Sequence, residues 1–272
     1  MPESRLDTEL VVRGLARSRN HAATLIKEGR VAIAGRTAVK PSAPVPDGAE
    51  IAVDSADDWV SRGALKLLGA LDAFGMDPEG LVCLDAGAST GGFSQVLLAR
   101  GAAFVLAVDV GHGQLSAALR PEIEAGRLVS IEGVNVRELQ TGAFDAVLAQ
   151  HGHEPASVRL VVVDLSFISL ALVLPALRAV APAAELVVLI KPQFEVGRGG
   201  VREGIVRDAR LRAEAIEGVL WAAHDAGLRT AGLAPSTIVG THGNSEYLAR
   251  LSPRAGGDPS EWSTRIAELA GG

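Results

Sequence analysis

The chain of 272 residues contains one cysteine and no long uninterrupted apolar run. The single cysteine, Cys83, excludes a disulfide framework and any zinc site built from several cysteines. The first residues, Met1 to Arg5, carry charges with no apolar segment behind them, so the sequence predicts no secretion signal. A lone thiol without such a signal predicts a cytoplasmic protein in a reducing compartment.

The most apolar stretch of the sequence, residues 160–177, contains Asp164, two serines and Pro175. A membrane-spanning helix needs about 20 predominantly apolar residues, and an Asp at its centre costs about 2.5–3.5 kcal/mol. The stretch is therefore interpreted as a buried strand that leads into a helix, and no membrane span is predicted.

Composition and charge indicate a folded chain with two unlike parts. Hydrophobic residues make up 48% of the sequence and the formal net charge is −6, which excludes disorder for most of it. Residues 1–40 hold eight basic and four acidic residues, whereas the rest holds 18 basic and 28 acidic ones. A basic head on an acidic body indicates an anionic partner for the head. A solvated helix face would account for the same charge.

The basic head contains two short helical patterns followed by a hairpin. Within residues 19–39, the apolar pair Leu25 and Ile26 is followed by Gly29 as a helix stop and then by two short strands, 31–33 and 37–39, around a turn. This order resembles the S4-type RNA-binding module, over about residues 3–53, and implies RNA binding through the helix pair. The candidate phosphate contacts are Arg5, Arg17, Arg19, Lys27 and Arg30. Because the head has no aromatic residue, base stacking is not expected to dominate there.

Strands and helices alternate in the second region. Strand patterns lie near 81–85, 104–109, 127–131, 159–164 and 185–190, and a helical pattern spans about 207–226. Two of these strands are continuous apolar runs, as buried parallel strands are. The alternation predicts an α/β fold with a mainly parallel sheet covered on both faces.

A glycine-rich loop, Asp85-Ala-Gly-Ala-Ser-Thr-Gly-Gly-Phe93, follows the first of these strands and opens a helix. Ser89 stands where the dinucleotide fingerprint needs its middle glycine, which argues against NAD, and no Walker lysine follows. S-adenosylmethionine has no phosphates; its positive groups suit Asp85, and its ribose diol suits Asp109 at the end of the next strand. A purely structural strand-to-helix turn remains the alternative.

A third strand end could complete this cofactor site. Asn135 and Val136 follow the third strand and could contact adenine, or could form an ordinary turn. The candidate cofactor-binding residues are Asp85, Gly87, Ser89, Thr90, Gly91, Gly92, Phe93, Asp109, Asn135 and Val136.

The sequence also limits which atom could accept a methyl group from this cofactor. Methylation at a pyrimidine carbon usually needs a cysteine nucleophile, and Cys83 lies inside a strand. Methylation of a base amine typically uses an Asp-Pro-Pro-Tyr-like run, but the chain has Asp164-Leu-Ser-Phe167 there. A ribose hydroxyl remains, which needs a base or an oriented proton acceptor. Asp164 and Lys191, each at a strand's carboxyl end, are the candidates, and a structural ion pair is the alternative.

Five motifs in fixed order strengthen this interpretation. They are Trp59-Val-Ser-Arg-Gly-Ala-Leu-Lys66, Asp85 to Phe93, Asp164-Leu-Ser-Phe167, Ile190-Lys-Pro-Gln-Phe-Glu195 and Thr241-His-Gly-Asn-Ser-Glu246. Together they resemble the TlyA (hemolysin A) family of S4-plus-FtsJ-like ribosomal RNA 2′-O-methyltransferases, up to about residue 250. Ala64, where relatives often show a second glycine, is one departure.

The family resemblance implies a site, a partner and a division of the chain. It implies a catalytic tetrad of Lys66, Asp164, Lys191 and Glu246, with Lys191 acting on the 2′-hydroxyl of a cytidine in 16S or 23S ribosomal RNA. Ribosomal subunits or their RNA are the implied partner, S-adenosylmethionine is the cofactor, and no metal is required. The expected organisation is an S4-like α+β module at 1–55, a linker at 56–62, a Rossmann-like class I methyltransferase domain at 63–252 and a tail at 253–272.

Two other classes of function are alternatives to this enzyme. A membrane-active, hemolysin-like protein would need a spanning or strongly amphipathic segment, which the sequence outside the head does not offer. A catalytically silent RNA-binding assembly factor is disfavoured by the four intact tetrad positions. His151 and His153 with Glu154 make a weak metal site, because such sites usually have three or four ligands.

Overall fold

The structure of the chain is a computed structural model, and it falls into two compact units, Met1–Asp58 and Trp59–Gly272. It describes residues 4–16, 19–27, 29–46, 48–53, 59–197, 204–240 and 243–271. Residues 56–58 of the predicted linker lie outside the described residues.

The described residues of the first unit form two helices and five short strands. They are α1 (Leu6–Val12), α2 (Arg19–Lys27), β1 (Ser4–Arg5), β2 (Val31–Ile33), β3 (Arg36–Thr37), β4 (Pro44–Val45) and β5 (Ile51–Val53). Strand β2 pairs antiparallel with β3 and β5, and β1 pairs antiparallel with β4. Leu6 and Leu10 of α1 pack against Leu25 and Ile26 of α2 in the core of this unit. The predicted helix pair and hairpin are confirmed. The β1–β4 pair was not predicted, since two residues are too few to show an alternating pattern.

In the part of the second unit that the structure describes, seven strands form one sheet. They are β6 (Val82–Ala86), β7 (Phe104–Asp109), β8 (Leu128–Glu132), β9 (Val158–Val163), β10 (Glu185–Ile190), β11 (Arg229–Pro235) and β12 (Tyr247–Ser252). Their order is β11-β12-β10-β9-β6-β7-β8; the pairs from β10 to β8 are parallel, and β12 runs antiparallel to both neighbours. The predicted α/β fold with a mainly parallel sheet is confirmed. Strands β12 and β11 extend the sheet through antiparallel pairings.

Helices cover both faces of this sheet. They are α3 (Gly63–Phe74), α4 (Gly92–Ala99), α5 (Arg120–Glu124), α6 (Asp145–Gln150), α7 (Leu174–Val180), α8 (Pro192–Glu195), α9 (Ala209–Asp225) and α10 (Ser263–Gly271). Alternate residues of one strand face opposite cores: in β9, Val161 and Val163 join one core, whereas Leu160 and Val162 join the other. This is the pattern of a strand buried on both faces.

The C-terminal segment ends in a packed helix. Ile266 and Ala270 of α10 are buried, and Arg212 of α9 donates hydrogen bonds to the carbonyl oxygen of Ala270 (2.5 Å from one nitrogen and 3.0 Å from another). Among the described helices, none combines the length and the apolar character that a bilayer crossing requires.

The strand order determines where the functional groups meet. The carboxyl ends of β6, β7, β9 and β10 lie at one edge of the sheet, and antiparallel β12 begins there, with Tyr247 opposite Ile190. Ligands bind at this edge in open α/β sheets.

Candidate active site

The glycine loop between β6 and α4 is shaped by close backbone approach. Gly87 has a φ of +89°, and a Cβ there would lie 2.7 Å from the backbone oxygen of Asp164. A Cβ on Gly92, the first residue of α4, would lie 2.1 Å from the Ser61 hydroxyl oxygen. These glycines let the ends of β6 and β9 and the start of α3 come close together, as only a residue without Cβ allows.

Asp109 closes the turn around this loop. Its carboxylate accepts hydrogen bonds from the backbone N–H groups of Ser89 (2.8 Å) and Gly111 (2.7 Å). Ser89 itself has a φ of +48°, which is uncommon for a residue other than glycine. The carboxylate is therefore held in a fixed orientation at the end of β7.

A cavity of about 470 Å³ lies at this sheet edge, within the size range of small-molecule sites. Its lining residues are Gly87, Ser89, Asp109, Val110, Gln114, Val134, Asn135, Val136, Asp164, Leu165, Ser166, Phe167, Ile168 and Val173. Five of the ten predicted cofactor residues line it: Gly87, Ser89, Asp109, Asn135 and Val136. The other five, Asp85, Thr90, Gly91, Gly92 and Phe93, do not.

Several of the predicted cofactor residues have structural roles in the described part of the chain. Gly91 precedes α4 in a left-handed conformation, and Phe93 is buried in the core beneath the loop. The side chain of Asn135 accepts a hydrogen bond from the Arg137 N–H (3.1 Å) and so begins a short helical turn, while Val136 is buried. Asn135 therefore both lines the cavity and forms a turn, so a cofactor contact and an ordinary turn are compatible at this position.

Asp85 is fully buried beneath the cavity, and its environment suits a nearby cation. Its Oδ2 accepts a hydrogen bond from the Ser94 hydroxyl (2.7 Å), whereas its Oδ1 has no hydrogen-bond partner among the described residues. Burial raises the pKa of Asp85 to about 7, and the charges of Asp164 and Asp109 add to this. Because both of those carboxylates line the cavity, a positively charged ligand there would favour ionised Asp85.

Lys191 and Asp164 form an ion pair at the ends of neighbouring strands β10 and β9. The Lys191 Nζ lies 2.6 Å from the Asp164 Oδ1 and donates a hydrogen bond to the Ser166 hydroxyl oxygen (3.0 Å). The Lys191 side chain is 10% exposed and the Asp164 side chain 20% exposed. The pair is thus mostly buried, and its Asp164 member lines the cavity.

Lys66 and Glu246 form a second and more deeply buried ion pair. The Lys66 Nζ on α3 donates to the Glu246 Oε2 at 2.5 Å, and their side chains are 11% and 2% exposed. Gly240 provides the space, since a Cβ there would lie 2.1 Å from the other oxygen of Glu246. Glu246 precedes Tyr247, which pairs with Ile190, so the register brings both ion pairs to the same sheet edge.

An aromatic residue stands exposed on the wall of this cavity. Phe167 is 91% exposed, has a φ of +66° and has its ring centroid 5.2 Å from that of Phe194. The Lys191 Nζ lies 5.9 Å from the Phe194 ring centroid. In the sequence, Phe167 stands out only as the last residue of the Asp164–Phe167 motif. Nothing in the local pattern predicts that its ring faces solvent.

The candidate RNA contacts of the first unit are only partly grouped. Arg5 and Arg19 both donate to Asp7, and Lys27 and Arg30 lie at the end of α2 and after it. Arg17 lies outside the described residues. Of the glycine-containing segment 192–206, which follows Lys191, the structure describes residues 192–197 and 204–206.

The two histidines that form a weak metal site in the sequence, His151 and His153, pack against an aromatic ring in the structure. The rings of His151 and His153 both lie near the ring of Phe104, with centroid distances of 4.9 and 4.8 Å. Within the described ranges, no group of three or more histidine, cysteine, aspartate or glutamate side chains is arranged to hold a metal ion.

Comparisons with known proteins match both units. The model of the FtsJ-like methyltransferase family matches residues 59–252, and that of the S4 domain matches residues 4–51. The chain is 50% identical over 252 residues to the 16S/23S rRNA (cytidine-2′-O)-methyltransferase TlyA of Mycobacterium tuberculosis, covering 91% of this chain and 89% of that protein.

Two further relatives carry a hemolysin name. Hemolysin A of Brachyspira hyodysenteriae is 36% identical over 249 residues, covering 91% of this chain and 99% of that protein. A solved structure from Streptococcus thermophilus, also named for hemolysin, is 35% identical with a TM-score of 0.72, covering 100% of this chain and 95% of that one. The similarity therefore spans both units.

Proposed function

Because the chain belongs to the FtsJ-like methyltransferase family, in its TlyA (hemolysin A) branch, we propose that it methylates ribose 2′-hydroxyls of ribosomal RNA. The name of the Mycobacterium tuberculosis relative supports cytidine in 16S and 23S RNA as the target. The observation that carries the proposal is the ion pair between Lys191 and Asp164, because Asp164 lines a cofactor-sized cavity. Ribosomal subunits in the cytoplasm are the proposed partner.

The residues that line the cavity fit S-adenosylmethionine. Asp109 offers carboxylate oxygens to a ribose diol, and Val136 and Ile168 offer apolar surface to adenine. Asp109, Asp164 and buried Asp85 together make the region acidic, which suits the sulfonium and amino groups. When bound, S-adenosylmethionine supplies an electrophilic methyl group.

Lys191 is the residue proposed to act on the ribose hydroxyl. A ribose hydroxyl is a poor nucleophile, so its proton must move to an acceptor as the new carbon–oxygen bond forms. Once the Lys191 ammonium has released a proton to solvent, its neutral amine takes the proton from O2′ as the carbon–oxygen bond forms, and Asp164 balances the charge of the ammonium that results. The hydrogen bond to Ser166 and the ion pair orient Nζ before the reaction, which reduces the cost of positioning.

Lys66 and Glu246 are proposed to complete the tetrad by positioning. Their ion pair joins α3 to the start of β12, which lies beside the strand that presents Lys191. The four groups comprise two cations and two anions, so the cluster is neutral and its protons are shared as a coupled set.

A methyl-transfer assay tests the proposed function. The purified chain is incubated with methyl-labelled S-adenosylmethionine and either intact ribosomal subunits or free ribosomal RNA, and the RNA is digested to nucleosides. Label in 2′-O-methylcytidine is the expected result. Label in a methylated base would reject the ribose hydroxyl as the acceptor. No label in RNA together with leakage of lipid vesicles would reject the proposal and favour the membrane-active alternative.

Exposed Phe167 gives a prediction about RNA recognition. Single-stranded bases stack on aromatic side chains, and each stacked base contributes about 1–3 kcal/mol. Phe167→Ala should lower kcat/KM for RNA by about 5- to 150-fold, with Phe167→Tyr close to wild type. Because the side chain is 91% exposed, the unfolding midpoint should stay unchanged in both variants. Equal kcat/KM values for the alanine and tyrosine variants would show that this ring does not contact the substrate.

Asp85 gives a prediction about pH. With a pKa of about 7, its carboxyl is mostly neutral at pH 6 and mostly ionised at pH 8. A cationic cofactor binds better to the ionised form, so affinity for S-adenosylmethionine should rise about tenfold from pH 6 to pH 8. Calorimetric titration across this range checks the result. Asp85→Asn should flatten the profile, and an equally steep profile in that variant would contradict the assignment.

A further inference from the structure

Asp7 is a buried acid that contacts two arginines of the first unit. It lies in the first turn of α1, its side chain is 7% exposed, and its backbone N–H donates to the Pro41 carbonyl oxygen (2.9 Å). Arg5 donates to both carboxylate oxygens, each at 3.0 Å, and Arg19 donates to one of them at 3.0 Å. One rigidly placed carboxylate therefore holds two arginines from different helix starts.

The two arginines remain available to a ligand. The side chain of Arg5 is 52% exposed and that of Arg19 is 62% exposed, although both are tied to Asp7. A guanidinium has five N–H donors in a planar fork, so a contact to one carboxylate leaves donors for phosphate oxygens. The hydrogen bonds from Arg5 and then Arg19 hold the pKa of Asp7 far below its ordinary value, so the carboxylate stays ionised.

We propose that Asp7 is a positioning residue that presents the guanidinium groups of Arg5 and Arg19 at a fixed spacing to the phosphates of ribosomal RNA. This inference rests on the proposed function, because it assigns a role within RNA binding by the same chain. Long basic side chains lose rotamer freedom when they bind, and a carboxylate that fixes them beforehand removes that cost.

Charge counting and positioning predict opposite effects for one substitution. Asp7→Asn removes a negative charge from an RNA-binding face, so electrostatics alone predicts tighter binding. If Asp7 acts by positioning, the same change releases both arginines, and affinity falls although the net charge becomes more positive. The sign of the change therefore separates the two accounts.

The experiment measures the affinity of the full chain for a ribosomal RNA fragment at several salt concentrations. Asp7→Asn is expected to weaken binding about five- to tenfold and to make the salt dependence shallower by about one phosphate contact, a slope change of about 0.7 to 0.9. Glu9→Gln is the matched control, since Glu9 of α1 pairs with Arg13 (2.8 Å), the residue that follows this helix, and does not contact Arg5 or Arg19 among the described hydrogen bonds. Its affinity should equal or slightly exceed wild type.

A second variant tests the same role if Asp7→Asn does not fold. Arg5→Lys keeps the charge and leaves Asp7 in place, but an ammonium cannot bond both carboxylate oxygens as a fork does. It should bind RNA several-fold more weakly, whereas charge counting predicts no change. Unchanged or tighter binding by Asp7→Asn, or wild-type binding by Arg5→Lys, would overturn the positioning role.

The two proposals can fail separately. If the wild-type chain transfers methyl groups to ribosomal RNA but Asp7→Asn binds as well as wild type, only the positioning role is rejected. If the wild-type chain transfers no methyl group to RNA, the proposed function itself is rejected, whatever Asp7 does.

Discussion

Replacement of Lys191 with methionine is expected to lower kcat for methyl transfer by about 10²- to 10⁴-fold, the usual contribution of a positioned proton acceptor. Methionine keeps much of the side-chain length but has no amine, so the 2′-hydroxyl proton loses its acceptor. Lys191 is not among the residues that line the cavity, so the dissociation constant for S-adenosylmethionine should change little. Single-turnover transfer with labelled cofactor, alongside calorimetric cofactor binding, measures both quantities.

A charge-conserving variant separates proton acceptance from charge. Lys191→Arg keeps a cation beside Asp164 but cannot be deprotonated in a protein, so it should be nearly as inactive as the methionine variant. A Lys191→Arg enzyme with wild-type kcat would show that the position supplies only positive charge. The proton-acceptor role of Lys191 would then be wrong, but the location of the active site would not be contradicted.

The second large effect concerns stability. Glu246→Leu leaves the Lys66 ammonium buried without its partner, and an unpaired buried charge costs about 3–5 kcal/mol. The free energy of unfolding in urea should fall by that amount. The double variant Lys66→Met with Glu246→Leu replaces the pair by apolar groups and should recover most of the stability. It should remain inactive, because the proposed tetrad is broken.

A surface pair provides the matched control for this cycle. Arg210 and Glu214 are also joined by an ion pair (2.9 Å), but their side chains are 85% and 50% exposed. Glu214→Leu should change the free energy of unfolding by less than about 1 kcal/mol. If Glu246→Leu costs no more than Glu214→Leu, the Lys66–Glu246 contact is not a buried pair. If the double variant retains full activity, the tetrad assignment fails.

Local patterns predicted much of the fold because they reflect local physics. Strands buried on both faces must be continuously apolar, so β9 and β10 were placed within a residue or two. The antiparallel strand β12 was not predicted, although it positions Glu246. It follows a polar loop, and its pairing with β10 joins residues some 60 positions apart, which no local window can detect.

The candidate site was predicted in parts rather than as a whole. The ends of parallel strands meet at one sheet edge, so the sequence could place Asp109, Asp164 and Lys191 together. Lys66 came only from the family resemblance, because a lysine in a helix gives no sign of burial. Gln114 and Ile168 line the cavity through loop conformations that carry no periodic signal.

Asp7 shows a further limit of sequence reasoning. In the sequence it counts only as one of four acids that reduce the charge of a basic head. The structure shows its carboxylate between two arginines, a relation that depends on how α1 and α2 pack. A charge count treats such an acid as unfavourable for RNA binding, whereas the geometry assigns it a positioning role.

The most direct test of the central claim changes the acceptor atom instead of the enzyme. Once the methylated cytidine is mapped, an RNA substrate is made with 2′-deoxycytidine at that single position. The account predicts that this RNA binds with nearly unchanged affinity but receives no methyl group. Methyl transfer to the deoxy substrate at the same nucleotide would place the acceptor on the base and contradict the account.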